Sequence, residues 1–139
     1  MHSARLRGIL IILTLLITAQ DALCVKVSEL ILRQLAIRSI KPHYPGTSVK
    51  NKNTGVAVAK VQIDQNGKVK TITVVQAPDA AISEEVRTAV RQWTFDIPKD
   101  MHLDDKTGRL LSSTLTFYFK ISGSTSVVLE PQLNNRRNK

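Results

Sequence analysis

The chain has 139 residues, 42% apolar, 4% aromatic and 22% charged, a composition that fits one small globular domain and excludes a multidomain enzyme or a disordered or collagen-like chain. Its 20 Lys and Arg outweigh 11 Asp and Glu, a formal net charge of +9 that favours an acidic partner or surface without deciding the fold. A single cysteine, Cys24, excludes an internal disulfide framework, and no second cysteine or histidine stands near it at a zinc-ligand spacing.

Residues 1–24 read as a secretory signal, with Arg5 and Arg7 as a positive start, an apolar run from Gly8 to Ala19, and the small-residue exit Ala22-Leu23-Cys24. The run is too short for a membrane-spanning helix, which needs about 20 apolar residues. Cleavage after Cys24 starts the exported chain at Val25, and cleavage after Ala22 is the neighbouring alternative. Two anchored forms stay open: acylation on Cys24, although Leu23 is larger than the residue usually found there, and an uncleaved signal. Membrane contact is expected only in those two forms.

Ser28 to Ile40 predicts a helix, with Ser28 as N-cap and Glu29 in the first turn where a negative charge suits the helix dipole. Pro42 ends it, so residues 25–41 form an N-terminal helical segment. Its apolar residues cover more than one stripe and predict contacts on two sides. Lys41 to Gly46 is extended, because a residue before proline is pushed out of the helical region. Lys50 to Thr54 is a polar loop.

From Gly55 the period becomes two, with Ala57, Ala59, Val61 and Ile63 on one face. Asn66-Gly67 then marks a hairpin turn, since both residues tolerate positive φ. With Asn66-Gly67 as a two-residue turn, the returning strand, Lys68 to Gln76, sets Ile72 opposite Val61 and Val74 opposite Ala59. All four are apolar, so register and pattern agree. Ser83 is the expected N-cap of a second helix whose stripe is Ile82, Val86, Ala89, Val90 and Trp93. A polar loop, 99–109, leads to a third strand from Ser113 to Ile121, where Leu115, Phe117 and Phe119 alternate with Thr114, Thr116 and Tyr118. Thr125 to Leu129 forms a short additional strand, and 131–139 is a basic tail expected to be disordered.

The predicted architecture is α+β: a small two-layer domain over 42–130, a three-stranded antiparallel sheet of order 2-1-3 with a helix on one face, plus the N-terminal helix. The stripe from Ile82 to Trp93 covers a face made by Val61, Ile63, Ile72, Val74, Leu115, Phe117 and Phe119. Val56, Val58 and Val75 cluster on the other face, where the first helix or the Tyr44-Pro45 segment is expected to seat.

Nothing in the residues calls for catalysis. His43 and His102 lack partners for a nucleophile–base pair or a metal cluster, so no catalytic residue, metal or cofactor is expected. The basic residues are scattered and most aromatics fall at core positions, so there is no stacking platform for nucleic acid. The third strand is more informative. Lys68 and Lys70 guard the edge of the second strand, whereas Thr114, Thr116 and Tyr118 leave the third uncharged until Lys120, an edge suited to an added partner strand. The alternative is that Thr125 to Leu129 folds back over it, and both hold if that segment is displaceable.

Pro42-His43-Tyr44-Pro45, the segment from Gly55 through Asn66-Gly67, Trp93-Thr94-Phe95 and Phe117 to Gly123 together make the chain resemble the TonB C-terminal domain family of Gram-negative envelopes, over about Lys41 to Leu129. The resemblance implies a small antiparallel sheet with a helix on one face, and a periplasmic module that binds the N-terminal box of an outer-membrane transporter as an added strand. Carried onto this chain, the partner-binding residues are Lys41, His43, Tyr44, Pro45, Thr114, Thr116, Tyr118 and Lys120. The partner is an envelope protein or peptide, with a second copy of the chain as the alternative.

Overall fold

The computed structural model describes residues 23–132. The expected leader up to Ala22, and the expected tail from Leu133 on, lie outside the described residues.

The first strand and helix among the described residues are a two-residue strand, β1 (Val25–Lys26), and a helix, α1 (Glu29–Leu35). Ser28 caps α1 as expected, its hydroxyl accepting from the Ile31 N–H at 3.3 Å. The helix is shorter than the predicted 28–40. It stops because Ala36–Arg38 forms a strand, β2, paired antiparallel with Thr94–Phe95 (β5), and the Leu35 carbonyl accepts from the Asp96 N–H at 2.8 Å. A tertiary partner overrides a helix-favouring sequence. A short helix the sequence did not signal, α2 (Gly46–Lys50), follows the extended Pro42–Pro45 segment.

The hairpin is β3 (Gly55–Ile63) and β4 (Val69–Gln76), with Ile72 opposite Val61 and Val74 opposite Ala59 as the alternation requires. Its turn differs from the two-residue expectation. Asp64 faces Lys68 across a three-residue loop, with Gly67 at φ 76° and the Asp64 carboxylate accepting from the N–H groups of Asn66 and Lys68. That loop shifts the register by one residue, and an irregularity beside Ile63 restores it. The apolar faces win the register over the turn.

The second long helix is α3 (Ala80–Arg91), with Ile82, Val86, Ala89 and Val90 buried. Its N-cap is Asp79 rather than Ser83: Oδ1 accepts from the Ile82 N–H at 2.7 Å. An earlier start is what brings Ile82 onto the inward stripe. The third long strand, β6 (Leu111–Ser122), turns at Gly123 into β7 (Thr125–Leu129). The expected polar loop between β5 and β6 contains two single 3₁₀ turns, at Lys99–Met101 and Asp105–Thr107.

The sheet has five strands rather than three. Its central order is β4-β3-β6, and both β1 (parallel) and β7 (antiparallel) add to the outer edge of β6. The core lies between its inner face and α3, where Trp93 packs edge-on to Phe117 with centroids 6.2 Å apart. The Trp93 indole N–H donates to the Ile40 carbonyl at 2.9 Å, which fixes the N-terminal segment over the core.

Candidate functional site: the outer edge of β6

The groups of Ser112, Thr116, Tyr118 and Lys120 that face outward from β6 define the edge where a partner strand is expected, and most of this edge is occupied by the chain itself. At its start, β1 pairs Val25 with Leu111 and Lys26 with Ser112, and the Val27 N–H donates to the Ser112 carbonyl at 3.0 Å. At its far end, β7 pairs Leu129 with Tyr118 and Val127 with Lys120.

Between these two strands the closure is made by side chains. Glu29 Oε1 accepts from the Thr116 N–H at 2.7 Å, and Oε2 accepts from the Thr116 hydroxyl at 2.8 Å. Arg33, one turn later on α1, donates to the Thr116 carbonyl at 2.8 Å. A carboxylate and a guanidinium thus supply the acceptor and the donor that a neighbouring strand would bring. The pair also bonds internally, Arg33 Nη2 to Glu29 Oε1 at 2.8 Å, and Glu130 just beyond β7 approaches Arg33 Nη1 at 3.3 Å. The Arg33 side chain is only 6% exposed. It lies 5.6 Å from the Trp93 ring centroid and 5.4 Å from that of Phe117, a cation–π position that fills the low-dielectric side of the guanidinium.

The Lys41 to Pro45 segment divides in two. Lys41 and His43 are exposed, while Tyr44 and Pro45 are buried. The Tyr44 ring meets Phe119 edge-on at 5.1 Å, on the α3 side of the sheet, and its hydroxyl donates to the Asn53 carbonyl at 2.6 Å. The segment therefore does not seat on Val56, Val58 and Val75, which are absent from the hydrophobic residues packed against the core. Burial, and then the negative charge of Asp79, push the Tyr44 hydroxyl above its ordinary pKa. Asp79 gathers this corner. Oδ2 accepts from the Ser48 hydroxyl and from the Asn53 amide, both at 2.7 Å. Burial alone would raise its carboxyl, but these bonds and those from the backbone at Ile82 and Ala81 hold it below the ordinary value.

The structure thus sets Thr114, Thr116, Tyr118 and Lys120 along one strand edge and leaves Lys41 and His43 on the surface, while Tyr44 and Pro45 support the core. Sequence reasoning missed Glu29 and Arg33 as edge groups. Their single signal is the i,i+4 spacing, which reads as a surface ion pair. Among the described residues no three His, Cys, Asp or Glu converge to hold a metal ion, and no helix is long and apolar enough to cross a membrane.

Comparison with known proteins gives two findings. The family model for the Gram-negative bacterial TonB protein C-terminal matches residues 40–121. The solution NMR structure of the Pseudomonas aeruginosa TonB CTD is similar at 23% identity, over 65% of this chain and 88% of that one, with a TM-score of 0.49. Among curated proteins none matches significantly.

Proposed function

Since the chain belongs to the family of Gram-negative bacterial TonB C-terminal domains, we propose that it is an exported, non-enzymatic protein-binding module of the periplasm that takes up an extended peptide by strand exchange on the outer edge of β6. The peptide replaces the chain's own cover, and an outer-membrane transporter's N-terminal segment is the partner the family favours. Thr114, Thr116, Tyr118 and Lys120 engage it through their backbone, with the exposed Lys41 and His43 beside it.

The observation that carries this reading is the fragmented cover of a 12-residue strand. The longest covering piece is β7, five residues long with Val128 as its one buried side chain. An incoming strand can replace the hydrogen bonds of β7 one for one, so from Tyr118 on the exchange loses little apart from the burial of Val128, while at Thr116 the strand must also displace Glu29 and Arg33.

Titration of the full chain with transporter N-terminal peptides, followed by amide NMR, tests it. Shifts concentrated at Thr114 to Lys120, with faster hydrogen exchange in β7, are expected. Shifts confined to α1, or none with any envelope peptide, overturn strand exchange. A second reading, a homodimer closed through α1 and β2, is favoured by Leu30 and Ile31 of α1 and Ile37 of β2, which remain 49%, 41% and 71% exposed. Sedimentation at two concentrations separates the two, because a stable dimer that ignores peptides favours the second.

A further inference from the structure

The face of the sheet turned away from α3 carries a groove of about 730 Å³, within the range of small-ligand sites. Strand register explains its chemistry. Lys26, Ser112, Gln62 and Thr71 stand side by side in one row across β1, β6, β3 and β4. Thr114, Lys60 and Thr73 form the next row. The lining holds two lysines and no acidic residue, and neither lysine enters an ion pair among the described residues. Glu29, which reaches Thr116 beyond the second row, is already engaged by Arg33.

We propose that this groove is a binding site for an anionic saccharide, on the sheet face rather than along the β6 edge, with which it shares Thr114 and the strand β1. The Thr73, Ser112 and Thr114 hydroxyls both donate and accept, which matches a ligand whose surface is itself hydroxyl groups. The groove floor between them is braced by Gln62, whose oxygen accepts from the Thr71 hydroxyl at 2.9 Å and whose amide nitrogen donates to Cys24 Sγ at 3.4 Å. Lys26 and Lys60 supply the charge for its carboxylates or phosphates. Val75, 53% exposed at the rim, offers an apolar patch to the C–H face of a sugar ring. The lining holds no aromatic ring on which a nucleic-acid base would stack. An extended peptide pairs with a sheet edge rather than a sheet face.

The test is amide NMR on the full chain, held in a polyoxyethylene detergent free of sugar groups, with trigalacturonate as probe and maltotriose and inorganic phosphate as comparators. Trigalacturonate is expected to shift Lys60, Gln62, Thr71, Thr73, Ser112 and Thr114, and maltotriose to bind at least about tenfold more weakly. The double variant Lys26→Gln/Lys60→Gln is expected to lose about tenfold in affinity, while Lys50→Gln/Lys52→Gln, with the same change in charge, loses less than about twofold. No shift on this face at about 10 mM overturns the site, since that concentration exceeds the weakest useful affinity. Equal loss in both variants reduces it to net-charge attraction, and equal shifts with phosphate reduce it to a simple anion site. Either result overturns the saccharide assignment.

Discussion

Glu29 closes both oxygens of its carboxylate on Thr116, one on the backbone N–H at 2.7 Å and the other on the hydroxyl at 2.8 Å. Because Arg33 takes the Thr116 carbonyl, the three residues reproduce between a helix and a strand the two-way exchange of a sheet ladder.

Removing one member leaves the others unsatisfied in a largely buried place. Glu29→Ala is expected to destabilise the fold by about 2–4 kcal/mol, since it strips the acceptor from the Thr116 N–H and the nearer carboxylate from Arg33. Glu29→Gln keeps an acceptor and is expected to lose roughly half as much. Urea unfolding measures both. Unchanged hydrogen exchange at Thr116 in Glu29→Ala would show that the contact does not close the edge.

The hairpin tip is the least forgiving backbone position. A methyl on Gly67 would lie 1.8 Å from the Phe95 carbonyl oxygen, on a residue held at φ +76°. Gly67→Ala is expected to cost about 3 kcal/mol, combining left-handed strain with a displaced β5. Gly108 has nearly the same φ, +77°, with nothing within 4 Å of an added methyl, so Gly108→Ala isolates the strain at about 1 kcal/mol. Thermal unfolding of the two variants side by side separates crowding from strain.

Asp79 makes stability depend on acid. Its folded pKa lies below the ordinary 3.8, so its contribution is complete above that value and is withdrawn as pH falls through the folded pKa. Asp79→Asn can still cap α3 through its amide oxygen, but its NH2 cannot accept from Ser48 and Asn53, so near neutral pH it is expected to lose about 2 kcal/mol. Its stability should then fall less steeply than that of the parent below about pH 4. Urea midpoints at several pH values decide this, and parallel acid limbs would remove Asp79 from the account.

Tyr44 and His43 are neighbours with opposite consequences. Tyr44→Phe is expected to cost about 1 kcal/mol by orphaning the Asn53 carbonyl, with peptide binding unchanged. His43→Ala, at an exposed position, is expected to leave stability within about 0.5 kcal/mol. Unfolding and peptide titration on both variants distinguish support of the core from contact with a partner.

The central order β4-β3-β6 and the stripe of α3 were legible because each rests on a repeating pattern: alternation from Ala57 to Ile63 and from Leu115 to Phe119, and helical spacing from Ile82 to Trp93. The closure of the edge was not. A strand of two residues has no period, and the Glu29–Thr116 contact joins residues 87 positions apart, with nothing local to announce it. The early end of α1 was hidden for the same reason, since Ala36 leaves the helix for Phe95, far along the chain. The Asp79 cap was concealed by a second plausible cap, Ser83, four residues on, and only the inward position of Ile82 decides between them.

The long separation of Glu29 from Thr116 also orders assembly in time. The β3–β4 hairpin closes over a three-residue loop, and α3 follows directly after it, so both can form from neighbouring residues. The clasp must wait for β6, and Arg33 meets Glu130 only once the chain has passed β7. Glu29 and Arg33 thus meet their native partners only once nearly the whole domain is in place. Of the pieces that cover the β6 edge, β7 folds back locally through the turn at Gly123, whereas the Glu29 clasp closes only across the length of the domain.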